Sequence, residues 1–308
     1  MKIINVMMNK GGSGKTFLST NLAYGLAQKG YRVLFVDGDP QHNATSRLLP
    51  DKVLEKQESA NLLDIQYLED KLQNTDLGDD LNASMNILRH FANGGRRFNE
   101  FPTLGQLLVG EVQMDEVIVK SKYDNIDLIS AGQTMFAQEK QLLSEYDGKE
   151  RLLDYLKLVE DKYDVCICDN SPYTSVYTFN ALNACRNETD LNLLPLRIDF
   201  EGFEGLNQTF DLLRQAGKNP NFKSKFCVVS TQTNSRVTIG KTGYSVLKKL
   251  FGNKVSDVQI RYQLAPNQKT SFDKACLLAD ERKDVRTSGL YQDMQALVDD
   301  IDARLRSE

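Results

Sequence analysis

The sequence predicts an α/β fold, a doubly wound and mainly parallel sheet with helices on both faces. Short apolar runs rich in β-branched residues alternate with longer stretches whose leucines recur at helical spacing. The run KIINVMM (2–8) comes first, a glycine-rich turn follows it, and a helical stretch covers 15–30. A second buried run at 31–39 completes a strand–helix–strand unit. Such a unit implies parallel strands.

The same alternation continues through the second half of the chain. The spacing of Leu152, Leu153, Leu156 and Val159 predicts one long amphipathic helix within 134–160. Short apolar runs predict further strands at 125–130, 163–169, 190–196, 225–231 and 254–260. Helices are predicted between and after them, at about 174–184, 203–216, 241–251, 271–279 and 290–305.

Residues 50 to about 101 interrupt this rhythm. They are polar and mostly acidic, with helical spacing only at Leu54, Leu62, Leu63 and Leu68. We expect one domain over 1–308, with a helical insertion or a mobile lobe at about 50–101.

The composition bounds the class of protein. The chain has 308 residues, 41% hydrophobic and 26% charged, which suits one large soluble α/β domain. The net charge is -4, so contact with DNA would need a local basic patch. Five cysteines, mostly in apolar runs, favour reduced buried thiols over a disulfide framework. With no signal peptide and no apolar run near the roughly 18 residues of a membrane span, we expect a cytoplasmic protein.

Gly14-Lys15-Thr16 follows a strand and opens a helix, which is the context of a phosphate-binding P-loop. Glycines let backbone N–H groups surround phosphates, and the helix start adds its positive dipole end. In such a loop the lysine reaches the β- and γ-phosphates and the threonine hydroxyl binds Mg²⁺. The predicted nucleotide-binding residues are therefore Gly11, Gly12, Ser13, Gly14, Lys15, Thr16 and Phe17.

Three aspartates stand at the ends of predicted strands. Asp37 and Asp39 end the second strand, and Asp169 ends the run YDVCICD (163–169). Ligands bind at the carboxyl ends of strands in open parallel sheets, and Mg²⁺ prefers carboxylates beside phosphate oxygens. The alternative is a turn, Asp-Gly-Asp-Pro, and a solvated strand end.

The loop departs from the ordinary spacing, since Asn9 stands where a first glycine is usual and a second lysine, Lys10, follows it. The run KGGSGKT (10–16) resembles the deviant Walker A motif of the ParA/MinD family of ATPases. The resemblance continues through most of the chain outside about 50–101 and is closest to the Soj-like ParA partition ATPases. The matching stretches are 36–46, 103–132, 163–172, 195–206 and 260–278.

The resemblance implies a P-loop NTPase fold of the SIMIBI type and a role for each matched residue. Lys10 would cross a dimer interface to the partner's nucleotide and act there with Lys15. Asp39 would orient the attacking water, Asp37 would support the Mg²⁺ shell, and Asp169 would hold Mg²⁺ through water. The stretches 195–199 and 260–264, with Pro195 and Arg261, look like the loops that enclose the base. The alternative is that they are ordinary loop and core segments.

Three positions depart from the family's pattern. Phe17 replaces a second threonine, Asn170-Ser171 replaces the usual pair before Pro172, and Asp199 replaces a glutamate. None of these changes removes a catalytic group.

The resemblance also implies partners: a homodimer formed on binding ATP, non-specific DNA with nucleoid association, and a ParB-like centromere-binding protein that stimulates slow hydrolysis to ADP. DNA contact requires exposed basic side chains on one face. The alternative for each is an ordinary solvated surface. The candidates are Arg236, Lys241, Lys248, Lys249, Lys269 and Lys274.

Two rival functions stay open, a MinD-like positioning ATPase that cycles on a membrane or scaffold, and a nucleotide-switch regulator of replication. The tail YQDMQALVDDIDARLRSE (291–308) has a largely acidic polar face, which anionic lipid would repel. We therefore expect it to pack on the sheet and expect no membrane partner. Cys166 and Cys168 are interpreted as core thiols on opposite faces of a strand, and no metal other than Mg²⁺ is expected.

Overall fold

The computed structural model describes residues 1–50, 101–234, 238–272 and 275–307, except the side chains at positions 238, 239, 269, 271 and 272. The chain divides into two compact units, Met1–Leu48 with Pro102–Glu308, and Leu49–Phe101. The expected insertion at about 50–101 lies outside the described residues except at its ends, and its helical character stays a prediction.

An eight-stranded sheet forms the centre of the first unit. The strands are β1 Lys2–Val6, β2 Val33–Gly38, β3 Ile118–Lys120, β4 Ile126–Ile129, β5 Val165–Asn170, β6 Leu191–Arg197, β7 Lys225–Thr233 and β8 Val255–Arg261. They lie in the order β3-β4-β2-β5-β1-β6-β7-β8, and among them only β3 pairs antiparallel, with β4 at one edge. The predicted mainly parallel sheet is confirmed, and the three-residue β3 is an addition that the sequence pattern did not reveal.

Helices connect the strands and cover the sheet. They are α1 Lys15–Gln28, α2 Asn43–Leu48, α3 Leu104–Leu108, α4 Met114–Val117, α5 Met135–Ser144, α6 Arg151–Lys157, α7 Val176–Ala184, α8 Phe200–Ala216, α9 Thr238–Phe251, α10 Leu264–Phe272, α11 Lys283–Arg286 and α12 Gly289–Arg306. Buried side chains pack α3, α5, α6 and α7 against β2 and β5. A second cluster packs α8 and α9 against β6 and β7.

Two helix predictions are wrong. The single helix expected within 134–160 is two helices, because the chain turns after Ser144 and brings Gly148 back against α5. A Cβ at Gly148 would lie 2.0 Å from the Leu142 carbonyl oxygen, so only glycine fits this return. The helix expected at 271–279 ends instead at Phe272, and Leu277–Ala279 is a short 3-10 turn.

The C-terminal helix packs on the core, as its pattern predicts. In α12 the apolar side chains of Leu290, Met294, Leu297 and Ile301 are buried, and the helix contacts β8 and α1. The approach to α1 is close, since a Cβ at Gly25 would lie 2.4 Å from Val298 Cγ2. Across the part of the chain that the structure describes, no helix is both long and apolar enough to cross a membrane.

The five cysteines are free and buried, which confirms the predicted core thiols. The expected placement of Cys166 and Cys168 on opposite faces is wrong, because residues two apart on a strand share a face. Their sulfur atoms accordingly lie 3.9 Å apart inside β5 and its apolar surroundings.

Candidate active site

The loop between β1 and α1 has the backbone of a phosphate cradle. Gly12 and Gly14 adopt positive φ angles of 70° and 84°, a region that residues with a Cβ rarely enter. Gly14 is the N-cap residue of α1, and neither a side-chain cap nor an acidic residue occupies the first turn. Within the described residues the backbone N–H groups at this helix start therefore have no side-chain acceptor, and they suit an anion.

Neighbouring elements fix the shape of this loop. Thr231 Oγ1 donates a hydrogen bond of 2.8 Å to the Ser13 carbonyl oxygen, and Gln232 Nε2 donates one of 2.5 Å to the Gly12 carbonyl oxygen. Both donors stand at the carboxyl end of β7. Neither residue was predicted to face the site, although a polar run such as Ser-Thr-Gln-Thr at a strand end is a signal for such residues.

Lys15 is turned into the loop. Its side chain is buried, and Nζ donates to the carbonyl oxygens of Met8 at 3.2 Å and Lys10 at 3.0 Å. Burial lowers the pKa of Lys15, and the negative charges of Asp169 and Asp39 oppose that shift. The loop thus holds a cation inside the bend that would surround a phosphate group.

The three predicted aspartates come together beside the loop. Asp37 on β2 is directly opposite Asp169 on β5 in the parallel register, and neighbours of this kind share a face of the sheet. Both are fully buried, and Asp39, two residues further on, is 7% exposed. The three aspartates therefore lie together at the carboxyl ends of two neighbouring strands.

Asp37 is held by the turn that follows it. Its Oδ1 accepts from the Asp39 backbone N–H at 3.1 Å, while its Oδ2 accepts from the Thr45 backbone N–H at 2.8 Å and from Thr45 Oγ1 at 2.7 Å. Burial and, to a lesser degree, the nearby Asp169 raise the pKa of Asp37 to about 8. This carboxylate fixes the turn that carries Asp39, a structural task that sequence analysis did not assign to it or to Thr45.

Asp169 differs from Asp37 in its hydrogen bonding. Within the described residues neither of its carboxylate oxygens, nor the buried Ser13 hydroxyl, has a hydrogen-bond partner. Burial raises the pKa of Asp169 to about 7, and the nearby Thr16 hydroxyl and Lys15 ammonium oppose the shift. An unpaired buried carboxylate is costly, so this one is suited to the water ligands of a cation.

A magnesium ion fits these residues only together with a nucleotide. Among the described residues, no group of three or more His, Cys, Asp or Glu side chains is placed to hold a metal ion alone. Mg²⁺ at phosphate sites commonly takes one or two protein ligands and completes its shell with phosphate oxygens and water. Thr16 and Asp169 are the residues whose position suits that role.

A cavity of about 120 Å³ adjoins the loop on the side of β7 and β8. Its lining residues are Gly14, Phe17, Leu18, Thr231, Gln232, Ile260, Arg261, Tyr262, Gln263, Asn267 and Leu290. Phe17 and Arg261, both predicted to contact the nucleotide, lie on it, but the Arg261 guanidinium is paired with Asp293 at 2.7 and 2.8 Å. Pro195 lies buried within β6 and is not one of these lining residues. Its contact with the base stays a prediction.

The predicted DNA-binding residues fall into three groups. Lys241 and Lys249 are exposed on α9. Lys248 is mostly covered, and its Nζ contacts the Val255 carbonyl oxygen at 2.8 Å and Asp257 Oδ1 at 2.6 Å. The remaining candidates, Arg236, Lys274 and the side chain of Lys269, lie outside the described residues.

Comparison with known proteins identifies the family of this chain. A family model described as an AAA domain matches residues 1–226. The sporulation initiation inhibitor protein Soj of Bacillus subtilis (strain 168) is 28% identical over 294 residues, which cover 95% of this chain and 96% of Soj. The chain belongs to the ParA/MinD family of P-loop ATPases.

Two further proteins resemble the chain over most of its length. The chromosome partitioning protein ParA of Myxococcus xanthus (strain DK1622) is 26% identical, covering 91% of this chain and 82% of that ParA. A solved structure of a Cyanothece McdA variant in complex with ATP has a TM-score of 0.71, at 17% identity, and covers 98% of this chain and 96% of McdA. At that identity the McdA likeness supports the ParA/MinD fold alone.

Proposed function

We propose that this chain is a ParA-type ATPase that binds ATP with Mg²⁺, dimerises around the nucleotide, and binds DNA non-specifically to drive plasmid or chromosome partition. The different placement of two lysines in one loop is the observation that carries the proposal. Lys15 is 6% exposed and donates inside the loop, whereas the Lys10 side chain is 35% exposed. Because Lys15 already occupies the cradle, the more exposed Lys10 would serve the nucleotide of a second subunit.

The residues that would hold ATP are the backbone of Gly11, Gly12 and Gly14, the start of α1 and the Lys15 ammonium. Thr16 and Asp169 would hold Mg²⁺, which when bound neutralises charge on the phosphate oxygens. The cavity beside Phe17 and Arg261 would take the base. A Cyanothece McdA variant with the same fold is solved with ATP, which supports this assignment.

Hydrolysis would depend on positioned charges more than on covalent chemistry. Asp39 lies on a turn fixed by Asp37, and its Oδ1 accepts from the Gln41 backbone N–H at 3.0 Å. From this place it would orient a water molecule. Lys15 and the partner's lysine would stabilise the charge that develops on the phosphoryl group. A ParB-like partner would stimulate a slow basal rate.

Binding to DNA would use exposed lysines of the dimer, among them Lys241 and Lys249 on α9. The whole chain is acidic, with net charge -4, so such binding is local, weak per subunit and strongly dependent on salt. The relation to a Myxococcus xanthus chromosome partitioning protein supports partition as the purpose of this cycle. Nucleoid association of the ATP-bound form follows from it.

A filter-binding experiment with random-sequence DNA tests the proposal. We expect retention of DNA with ATP and Mg²⁺, little retention with ADP, and a steep loss between about 50 and 200 mM salt. Equal retention with ATP and ADP, or none with either at low salt, would contradict the partition function.

A further inference from the structure

Residues of α8 hold the part of the nucleotide loop formed by Asn9 and Lys10. The Asn9 backbone N–H donates to Thr209 Oγ1 at 3.0 Å, and Asn9 Nδ2 donates to Gln208 Oε1 at 2.9 Å. A Cβ at Gly205 would lie 2.8 Å from Lys10 Cβ, so the helix backbone runs directly against Lys10. Contact with α8 therefore determines the position of Lys10 Cβ.

The end of the same side chain is also engaged with α8. Lys10 Nζ lies 2.5 Å from Glu201 Oε2, and Arg197 Nη2 lies 3.8 Å from the same oxygen. Glu201 stands in the first turn of α8, where the helix dipole stabilises a carboxylate. The Lys10 ammonium lowers the pKa of Glu201. Lys10 is thus paired with a carboxylate of its own chain.

We propose that Glu201 is a regulatory residue that holds Lys10 within its own subunit and competes with the second subunit's nucleotide for it. This inference rests on the proposed function, since it assumes that Lys10 acts across a dimer. Dimerisation then exchanges the Glu201 carboxylate for the partner's phosphate oxygens, which carry more negative charge. The monomer is favoured until nucleotide is present on the other side.

The Lys10–Glu201 ion pair is exposed enough to separate when a dimer forms. The Lys10 and Glu201 side chains are 35% and 64% exposed. Ion pairs this exposed are weak and are screened by salt. Glu201 therefore sets a threshold for dimerisation and does not prevent it.

The test is the replacement Glu201→Gln, which keeps the shape and removes the charge. The replacement releases two lysines per dimer, so we expect the dimer dissociation constant to fall about 2- to 30-fold. Sedimentation with a non-hydrolysable ATP analogue and Mg²⁺ measures this constant. Asp211→Asn is the matched control, because it removes the same charge and another exposed ion pair, with Arg214, from the same helix. The control is expected to stay within twofold of wild type.

A second readout examines the pair itself without nucleotide. The NMR signal of the Lys10 side-chain ammonium, assigned by its loss in Lys10→Arg, should shift in Glu201→Gln and stay unchanged in Asp211→Asn. An unshifted signal, or a Glu201→Gln dimer no tighter than the Asp211→Asn dimer, overturns the role of Glu201. A wild-type chain that stays monomeric with the ATP analogue overturns the proposed function instead, whatever the NMR signal shows.

Discussion

The nucleotide loop and the surface of α9 both carry lysines, but the two regions treat them differently. In the loop, Lys15 is buried beside Asp169, a carboxylate with no hydrogen-bond partner among the described residues. On α9, Lys249 is exposed and Lys248 is paired with Asp257. Buried charges need a partner or a ligand, whereas exposed ones do not. The buried charges of the loop therefore indicate a binding site. The exposed lysine on α9 does not by itself indicate a function.

Lys15→Ala should have the largest effect. It removes the buried cation that would contact the phosphates, and charge-assisted hydrogen bonds contribute about 1.5–3 kcal/mol each, so we expect ATP affinity to fall at least about 100-fold. Titration calorimetry measures this directly. Lys218→Ala, at an exposed position, is the control and should bind ATP as wild type does. Similar ATP affinities for the two variants would contradict the role of the buried Lys15 in binding phosphate.

The buried carboxylates should also make stability depend on pH. Burial raises the pKa values of Asp37 and Asp169 to about 8 and about 7, so protonation stabilises the folded, nucleotide-free protein. The contribution of these two groups to the free energy of unfolding is fully present below about pH 4 and is lost as the pH rises through 7 to 8. We expect the thermal midpoint to fall by a few degrees between pH 5 and 9 in wild type.

Asp37→Asn removes one of these groups and should flatten that fall. The exposed Asp211→Asn should leave the fall unchanged. Scanning calorimetry at several pH values measures both variants, and an equally steep fall in Asp37→Asn would contradict the raised pKa of Asp37.

The smallest effects should separate the two neighbouring lysines of α9. Lys249→Ala should weaken binding of the ATP-bound form to DNA about two- to fivefold and reduce the salt slope by about one, without changing stability. Lys248→Ala should lower the free energy of unfolding by about 1 kcal/mol, because it removes contacts to Val255 and Asp257, and should change DNA binding less. The reverse pattern would mean that Lys248 leaves Asp257 to contact DNA.

The sequence allowed most of the sheet and the centre of the site to be predicted. Strand runs, the glycine loop and aspartates at strand ends are local patterns, and parallel strands necessarily bring their carboxyl ends together. The contacts of Thr45, Thr231 and Glu201 could not be predicted, because each depends on how distant elements pack. The break at Gly148 and the pairing of Arg261 with Asp293 are tertiary effects of the same kind.

The oligomeric state of Lys10→Ala tests the central claim, that this lysine acts across a dimer. With ATP and Mg²⁺ in light-scattering chromatography, the wild-type chain should be dimeric, and with ADP it should be monomeric. Lys10→Ala should bind ATP within about threefold of wild type, since Lys15 and the loop backbone remain, and yet stay monomeric. If Lys10→Ala dimerises with ATP as readily as wild type, the second lysine of the loop has no role between subunits.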